Sequence, residues 1–321
     1  MPRSFYKIKE SSEKNMSTSL ERSDFGKMRY LLHPRIVLFA WGIRGHFRFM
    51  DDERYLKLMY WAKFGIKLNL GNPQSYNEKI QWLKLNEKNP ICEKLVDKYE
   101  AKRYVADLIG EEYIIPTLGV WDTFDKVDIN LLPDEGFVLK TTHDSGGVYI
   151  CKNKAEYDSD MARRVIEKSL KRNYYWIGRE WPYKNVRPRI IAEPLLVDES
   201  GVELKDYKIF NFHGEAKLIQ VDYDRFISHK RNLYDTEWNY INAEIKYPTS
   251  NRVIDKPVCL NKLLKLSEKL SQGFIHARTD FYVIGERIFF GEITFLHGSG
   301  YECFRPASFG STVGKWMKLD K

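Results

Sequence analysis

The chain has 321 residues, of which 43% are hydrophobic and 30% are charged, and its net charge is +8. A chain of this length and composition can bury one large core or two to three smaller ones, which excludes a largely disordered protein. The basic excess favours an anionic partner such as a nucleotide, an acidic glycan, a membrane surface or a nucleic acid, although many proteins are basic without such a partner.

The cysteines and the start of the chain indicate a cytoplasmic protein. The four cysteines are far apart and form no CxxC pair, which argues against a structural zinc site or a disulfide framework. The N-terminus lacks the apolar core of a signal peptide, and its longest apolar run, 36–43, is too short to span a bilayer. We therefore expect a cytoplasmic protein, and contact with the inner face of the membrane stays open.

Two segments precede the first well-defined helix. Residues 1–15 are rich in Lys, Glu and Ser and are expected to fray. Residues 29–50 mix apolar side chains with Arg35, Arg44 and Arg48. This second segment either packs on the body of the protein as a helix, which is the commoner outcome, or lies on a membrane interface.

Helix-start and helix-stop signals follow in order. Asp51 is a good N-cap for a helix that runs to residue 64, and Ser75 with Glu78 forms a capping box that starts a helix to about residue 85. A further helical run over 92–108 ends at Gly110. Two later helices are predicted over 159–171 and 260–270.

Strands alternate with these helices. One strand, a loop with two glycines and a second strand cover 136–150, an apolar strand covers 190–196, and a strand pair over 207–220 turns at His213-Gly214-Glu215. Because strands and helices alternate and no internal repeat occurs, the sequence predicts a mixed α/β or α+β enzyme fold.

The stretch 274–300 predicts a β-hairpin, since two apolar runs rich in β-forming residues flank Gly285-Glu286-Arg287. The period of two sorts the side chains onto two faces. The predicted polar face contains Arg278, Asp280, Glu292 and Thr294, and the apolar face Phe281, Val283, Phe289, Ile293 and Phe295.

The turn decides what the polar face can do. With a three-residue turn, or a two-residue turn plus a bulge, Asp280 lies opposite Glu292 and Arg278 opposite Thr294. Two carboxylates in that position repel each other unless a cation lies between them, and oxygen ligands suit Mg²⁺. A plain two-residue turn would send the two acids to opposite faces, and a solvated polar face is the simpler alternative.

Other residues could bind a nucleotide. Lys140 ends a strand beside the small-residue loop 141–147, whose backbone N–H groups could approach phosphate oxygens. Glu193 ends an apolar strand and could accept a hydrogen bond from an adenine amino group, with the backbone of Leu195 or Leu196 beside the ring. Each also has an ordinary explanation, a turn with a surface lysine and a solvent-facing acid.

In order along the chain, these parts resemble the ATP-grasp enzymes, and more narrowly the TupA-like ATP-grasp family of bacterial surface-polysaccharide clusters. The resemblance covers about 51–319. The stretches that carry it are NPQSYNEKIQWLKL (72–85), DKYEAKRYV (97–105), GFVLKTTHDSGG (136–147), PRIIAE (188–193), DYKIFNFHGE (206–215) and RTDFYVIGERIFFGEITF (278–295). It implies an α+β ATP-grasp fold in which two α+β subdomains clamp ATP and Mg²⁺.

The resemblance also implies roles for single residues. Lys98 and Lys140 would hold ATP phosphates, the loop Ser145, Gly146 and Gly147 would cover them, and Glu193 and Leu196 would lie beside the adenine. Asp280, Glu292 and Thr294 would bind Mg²⁺, and Arg278 and Lys208 would be catalytic. Two positions depart from the expected pattern. Thr294 stands where the wider fold usually has Asn, which leaves open one metal ion or two, and Gly310 stands where Asp is expected.

The predicted division of the chain has three parts. A basic N-terminal extension covers 1–50, a helical segment covers 51–92, and the ATP-grasp domain covers 93–321, with a subdomain boundary near 196–206.

The implied activity is that of an ATP-dependent carboxylate–amine ligase, which works through an acyl phosphate in capsule, O-antigen or cell-wall polysaccharide synthesis. A glycan uronic acid and an amino acid would be its substrates, and no nucleic acid partner is expected.

Several alternatives remain. Asp222-Tyr223-Asp224 fits the metal-binding motif of a glycosyltransferase that uses a nucleotide sugar, and a non-catalytic nucleotide-binding protein is a further possibility. His143 and Asp144 could form a catalytic pair, but the nucleophile motif GxSxG of a serine hydrolase is absent. No RNA-binding signature occurs.

Overall fold

The computed structural model describes residues 33–198, 204–224, 229–250 and 252–319, and the segment 1–15 lies outside them. The helices are α1 (Pro34–Ile43), α2 (Asp52–Phe64), α3 (Tyr76–Asn86), α4 (Ile91–Val96), α5 (Glu100–Ile109), α6 (Ser159–Leu170), α7 (Tyr175–Gly178), α8 (Leu260–Ser271) and α9 (Ala307–Trp316). The strands are β1 (Gly119–Trp121), β2 (Phe137–Thr141), β3 (Val148–Cys151), β4 (Ile190–Pro194), β5 (Asp206–Phe212), β6 (Glu215–Tyr223), β7 (Lys230–Tyr234), β8 (Tyr240–Ile241), β9 (Glu244–Ile245), β10 (His276–Ile284), β11 (Arg287–Thr294) and β12 (Phe304–Arg305). The predicted α+β fold is confirmed.

Two antiparallel sheets carry the site. The four-stranded sheet has the order β1-β4-β2-β3, and the six-stranded sheet has the order β11-β10-β5-β6-β7-β8. The first is built from residues before 195 and the second from residues after 205. The subdomain boundary near 196–206 stays a prediction, and 199–203 within it lie outside the described residues.

Each sheet packs against helices. Against the four-stranded sheet, α6 contributes Ala162 and Ile166 to a core with Phe137 and Leu139. The six-stranded sheet shares a larger core with α3, α5 and α8. A third cluster joins α1 and α2 to Tyr301. The two sheets therefore have separate cores.

The N-terminal helices follow their sequence signals. The Asp51 carboxylate accepts a hydrogen bond from the backbone N–H of Arg54 at 2.9 Å, and the capping box of Ser75 and Glu78 is present. Phe39 and Ile43 pack against the third cluster, so the predicted helix within 29–50 does pack on the body of the protein. In the described ranges, every helix is too short or too polar to cross a bilayer.

The predicted helix over 92–108 is wrong, because the chain breaks at Asp97–Tyr99. The Asp97 carboxylate accepts hydrogen bonds from the backbone N–H groups of Tyr99, at 2.8 Å, and Glu100, at 3.2 Å. Such a side-chain acceptor caps the start of α5 and competes with a continuous helix. Lys98 consequently lies in the connection, where its N–H donates to Thr142 O at 3.1 Å.

The hairpin of β10 and β11 has a two-residue turn plus a bulge. Ile284 pairs with Arg287 across the turn, and the register shifts between Asp280 and Phe281. Asp280 therefore lies opposite Glu292 and Arg278 opposite Thr294, as predicted. The shift comes from one extra residue in β11, Gly291, which has no partner in β10.

One residue of the predicted apolar face is wrong because of this bulge. Phe290 pairs with Phe281 and joins the main core, whereas Phe289 pairs with Tyr282 and lies outside it. Phe289 instead packs under the guanidinium of Arg287, 4.9 Å from the ring centre. The extra residue moves every later side chain of β11 to the other face.

Candidate active site

The predicted metal ligands meet at one atom, Nη2 of Arg278. This nitrogen donates to Asp280 Oδ2 at 2.7 Å, to Glu292 Oε1 at 3.0 Å and to Thr294 Oγ1 at 3.2 Å. Arg278 Nε also donates to Asp280 Oδ1 at 2.7 Å. The residue pairs of the hairpin thus bring two carboxylates and a hydroxyl around a single positive charge.

Lys208 joins this cluster from the neighbouring strand β5. It pairs with Asp280 across the sheet, and its Nζ donates to Asp280 Oδ2 and to Asp206 Oδ2, the latter at 2.6 Å. Lys208 and Asp206 are 7% and 3% exposed. The ion pair of these two residues is therefore buried.

Asp280 and Glu292 differ in the direction of their pKa shifts. Burial raises the pKa of Asp280 to about 6, and the charges of Arg278 and Lys208 offset this only in part. Burial also works against the ionisation of Glu292, but Arg278, Lys208 and Lys98 outweigh it and lower its pKa to about 2. Desolvation thus dominates at Asp280 and raises its pKa, whereas the neighbouring positive charges dominate at Glu292 and lower its pKa.

The cluster fits a divalent cation by its donor chemistry. Arg278 Nη2 marks a point where a positive charge is held by two carboxylates and a hydroxyl, and such oxygen donors suit Mg²⁺. In the described parts of the chain, no group of three or more His, Cys, Asp or Glu side chains is placed to hold a metal ion. Two carboxylates with additional ligands from a bound phosphate are nevertheless a common Mg²⁺ arrangement.

The small-residue loop 141–147, called the glycine loop below, is held in place by the side chain of Asp144. Its buried carboxylate accepts hydrogen bonds from Thr141 Oγ1 and Ser169 Oγ, both at 2.5 Å, and from Arg172 Nη2 at 2.6 Å. Burial opposes ionisation, but these bonds lower the pKa of Asp144 below its usual value. Ser169 and Arg172, at and just beyond the end of α6, thus hold the loop in shape, and no sequence signal points to either.

The tip of the loop is open, while its end is closely packed. Ser145 and Gly146 are exposed, and Gly147 is buried. A Cβ atom on Gly147 would lie 2.2 Å from both Ser169 Oγ and Thr141 Oγ1, so only glycine fits there. Lys98 Nζ donates to the carbonyl oxygen of Asp144, so Lys98 lies beside the loop, and its role in phosphate binding stays a prediction.

Lys140 and Glu193 form a second buried charge cluster. The Glu193 carboxylate lies 2.5 Å from Lys140 Nζ and 2.5 Å from Lys102 Nζ, and Glu193 is 4% exposed. Burial raises the pKa of Glu193, but the two lysines outweigh it and lower the pKa. Lys102 is not among the predicted site residues, and Leu196, predicted beside the adenine, lies half-buried just after β4.

The glycine loop and the acid pair lie close enough to act on each other. Burial lowers the pKa of Lys98, and the charges of Glu292 and Asp144 partly offset that effect. Burial raises the pKa of Tyr174, whose hydroxyl feels the charges of Glu180, Asp144 and Glu292. Lys98, which bonds to the loop, is thus within electrostatic reach of Glu292 in the hairpin.

A chain of buried charges leads away from the acid pair. Arg278 Nη1 bonds to His297 Nδ1, His297 Nε2 lies 3.1 Å from Glu302 Oε2, and Arg231 Nη1 donates to the same oxygen at 3.0 Å. Arg231 Nε then donates to Asp222 Oδ1 at 2.7 Å. Arg231 and Glu302 give no local sequence signal, since their partners lie up to 71 positions away.

The residues of the two alternative catalytic sites are also bonded within the protein. Asp222 is 2% exposed and bonded to Arg231, and Asp224 pairs with Arg252 at 3.4 Å, so both acids of the glycosyltransferase-like motif have protein partners. His143 Nε2 lies 3.0 Å from Arg172 O and 3.2 Å from Ser169 O. His143 and Asp144 therefore each bond to residues that hold the loop.

The antiparallel sheets, the glycine loop and the paired acids of the hairpin define an ATP-grasp protein. The sequence profile of the TupA-like ATPgrasp family matches residues 78–318. This match covers most of the chain, so the chain belongs to the TupA-like ATPgrasp family. The predicted family and fold are confirmed.

Solved structures give remote likenesses to the same class. Among curated proteins, none matches the sequence. D-alanine–D-alanine ligase from Bacillus anthracis complexed with ATP is 16% identical, with 63% of this chain and 54% of that chain covered and a TM-score of 0.38. D-cycloserine synthetase DcsG is 14% identical, with 71% and 72% covered and a TM-score of 0.37.

The ATP-grasp ligase PsnB, complexed with minimal precursor, Mg and ADP, is 8% identical, with 75% of this chain and 66% of that chain covered and a TM-score of 0.39. The chain spans 54% to 60% of the length of the D-alanine–D-alanine ligases from Bacillus anthracis and Helicobacter pylori that it matches.

Proposed function

We propose that this protein is an ATP-dependent carboxylate–amine ligase. One observation carries the proposal. Asp280, Glu292 and Thr294 surround a single cationic atom, and Glu292 is within electrostatic reach of Lys98, which bonds to the glycine loop. A cation site next to a loop of small residues and a lysine is the combination that holds a nucleoside triphosphate.

In this proposal one group of residues binds the phosphates of the nucleotide and another lies beside its adenine. Lys98, Lys140 and the loop 145–147 bind the phosphates, and Glu193 and Leu196 lie by the adenine. Asp280, Glu292 and Thr294 hold Mg²⁺, which supplies positive charge next to the phosphate oxygens when bound. Lys102 keeps Glu193 ionised, because it shares that carboxylate with Lys140.

The proposed reaction has two steps. A substrate carboxylate oxygen attacks the γ-phosphorus of ATP, the bond to the β-phosphate oxygen breaks, and ADP leaves. An amine nitrogen then attacks the acyl carbon of this acyl phosphate, phosphate leaves, and the amine loses a proton to give an amide. ATP is therefore consumed as ADP and phosphate, with one amide formed.

Arg278 and Lys208 are the residues of this chain that meet the charge on the transferred group. The neighbouring carboxylates Asp280 and Glu292 outweigh burial and raise the pKa of Arg278, so its guanidinium stays charged throughout. Two acids and a histidine hold that guanidinium in place, and such preorganised charge is the main contribution to phosphoryl transfer.

We propose a uronic acid of a bacterial surface glycan as the carboxylate and an amino acid as the amine. The family resemblance supports this choice, together with the chain's net charge of +8, which suits an acidic glycan. The proposed place of action is the cytoplasm, at the inner face of the membrane.

Calorimetry of the purified protein tests the class of activity. We expect tight binding of MgATP and no binding of UDP-sugars, followed by ADP release when uronic acids and amino acids are supplied together. Binding of UDP-sugars without ATP would overturn the proposal and redirect attention to Asp222 and Asp224.

Two conservative variants test the metal site. Asp280→Asn and Glu292→Gln should keep the fold and lose Mg²⁺-dependent ATP turnover by about 10²-fold or more, because each removes a negative charge that would hold the metal ion. Glu53→Gln is the matched control, since Glu53 makes only a surface contact with Lys57. Full turnover in either site variant would exclude the metal assignment.

A further inference from the structure

Helix α1 is apolar but hardly buried. Its sequence PRIVLFAWGI contains one charge, yet Gly42 is its single buried residue. Gly42 lies against α2, since a Cβ atom there would be 2.1 Å from Met59 Sδ. Most of the apolar surface of α1 thus stays at least partly open, which is unusual for a helix of this composition.

The open side of α1 combines apolar and basic side chains. Phe39, Gly42 and Ile43 lie on the side that packs on the protein. With 3.6 residues per turn, Val37, Trp41 and Arg44 lie on the opposite side at spacings of four and three. Trp41 is 51% exposed.

Helix α2 repeats this combination. Its buried side contains Tyr55, Leu56, Met59 and Tyr60. Its outer side contains Arg54, Lys57 and Trp61, again at helical spacings of three and four, and Trp61 is 41% exposed. Both helices therefore present a tryptophan next to cations.

Exposed apolar side chains concentrate in this part of the molecule. Of the eleven large hydrophobic residues that are exposed in the described ranges, five lie within 36–66. Phe49, between the two helices, is 84% exposed. Residues 33–67 also carry seven Lys or Arg against three Asp or Glu. We call residues 33–67 the N-terminal surface.

We propose that the N-terminal surface docks the protein on an anionic lipid bilayer. Tryptophan and phenylalanine bury in the headgroup region, and cations beside them attract anionic lipids. A second copy of the chain is disfavoured as the occupant because it would bring the same positive charge to the contact. The inference does not depend on the proposed ligase activity.

The surface is held firmly on the body of the protein. Arg179, 1% exposed, donates from Nη2 to Phe47 O at 2.9 Å and to Met50 O at 3.1 Å. The loop that carries Phe49 is therefore bound at both sides of that residue. Docking through this loop would position the whole protein at the bilayer.

Co-sedimentation with lipid vesicles tests the proposal on the full chain. Vesicles of phosphatidylcholine alone are compared with vesicles that also contain phosphatidylglycerol. We expect binding to the anionic vesicles only, with a weaker affinity at higher ionic strength.

Two variants separate the apolar and the charged contributions. Trp41→Ser/Phe49→Ser should lower vesicle affinity by about tenfold or more. Arg44→Gln/Arg48→Gln should lower it about 25-fold, at roughly fivefold for each arginine near the surface. Val253→Ser/Val258→Ser is the control, because both valines are more than four-fifths exposed and lie far along the chain from this surface. Unchanged melting temperatures establish that the variants are folded.

Three outcomes would overturn the proposal. Equal binding to both kinds of vesicle would remove the role of charge. Unchanged binding in both surface variants would place the contact elsewhere, including residues 1–32. Concentration-dependent self-association without vesicles, lost in the Trp41→Ser/Phe49→Ser variant, would make the surface an interface between two copies.

Discussion

At the scale of single residues, Glu193 shows how a buried acid is kept charged. Its carboxylate is held between Lys102 and Lys140, 2.5 Å from each. When a buried ion pair loses one partner, the remaining charge is uncompensated, and the free energy of unfolding falls. The two lysines differ in position, since Lys140 lies on β2 beside the glycine loop and Lys102 on α5 also bonds to Ile115 O.

We expect Lys102→Met to destabilise the protein by about 2 kcal/mol, because Glu193 then keeps one cation and Ile115 O loses its donor. Urea unfolding measures the change. The double variant Lys102→Met/Glu193→Gln should be less destabilised than the sum of the two single variants, since the pair interacts directly. Additive effects would contradict the shared-carboxylate arrangement.

His276 provides a second prediction at this scale, on pH. It is buried, with Nδ1 2.8 Å from Phe295 O and Nε2 3.0 Å from Tyr76 Oη. Burial lowers the pKa of His276 to about 3. The unfolded chain therefore binds the proton at pH values where the folded protein does not, between about 6.5 and 3.

This contribution to stability is complete above about pH 6.5 and is lost as the pH falls toward 3, at up to about 1.4 kcal/mol per pH unit. His276→Gln should be less stable than the wild type at about pH 7, and the difference should shrink between about pH 6.5 and 4. Chemical unfolding at a series of pH values measures it. A difference that is constant across this range would contradict the buried neutral histidine.

The residues that could be predicted from the sequence are those whose partners are set by a local period. Arg278, Asp280, Glu292 and Thr294 share a hairpin, so alternation brings them together once the turn has three residues, or two plus a bulge. Arg231 and Glu302 could not be predicted, because nothing local distinguishes a buried arginine on β7 from an exposed one. Their contact depends on how distant elements pack, as does that of Arg172 with Asp144.

At the scale of elements, the bulge in β11 decides the chemistry of the hairpin. With the two-residue turn alone, Glu292 would face away from Asp280. Gly291 supplies the extra residue, and a Cβ there would lie 3.1 Å from the backbone oxygen of Asp280. The sequence predicted the pairing of the acids but not the position of the bulge, which misplaced Phe289.

We expect Gly291→Ala to displace the backbone at Asp280 and to reduce Mg²⁺-dependent ATP turnover about tenfold, since the neighbouring atom belongs to a sheet strand that cannot move freely. Gly71→Ala is the matched control, because the nearest atom to its Cβ, Asn69 Oδ1, is at an ordinary 3.8 Å. A titration with Mg²⁺ measures both. Equal metal dependence in the two variants would show that the strand absorbs the change.

The glycine loop gives a further prediction for an element. Asp144 does not face the proposed nucleotide, but its bonds to Thr141, Ser169 and Arg172 fix the loop. Asp144→Asn loses the charge that Arg172 pairs with and should lower kcat/KM for ATP about tenfold. Asp128→Asn, at an exposed turn, is the control. Steady-state kinetics with ATP as the varied substrate measure kcat/KM. Equal kcat/KM values in the two variants would contradict this role.

A helix boundary shows where such prediction fails. The apolar spacing over 92–108 predicts one helix, but the carboxylate of Asp97 binds two backbone N–H groups and breaks it. Arg189 holds that carboxylate at 2.8 Å, which adds a tertiary contact that the sequence does not reveal. The break brings Lys98 to the glycine loop, so the missed boundary is also what positions a predicted site residue.

At the scale of the whole molecule, one arginine joins the N-terminal surface to the rest of the chain. Arg179 lies just after α7, and its guanidinium packs 4.5 Å from the ring centres of Tyr55 and Trp176. It also bonds to the carbonyl groups of Phe47 and Met50, from the segment before α2. The family profile begins at residue 78, so this contact links residues outside the matched region to residues inside it.

We expect Arg179→Met to destabilise the protein by about 3 kcal/mol, because two buried carbonyl groups lose a charged donor. If the N-terminal surface opens separately from the sheets, hydrogen exchange should rise in 44–50 and stay unchanged in β10 and β11. Arg252→Met is the control, since Arg252 is exposed and pairs with Asp224 at the surface. A uniform rise across the chain would instead mean that residues 33–67 and the six-stranded sheet unfold as one cooperative unit.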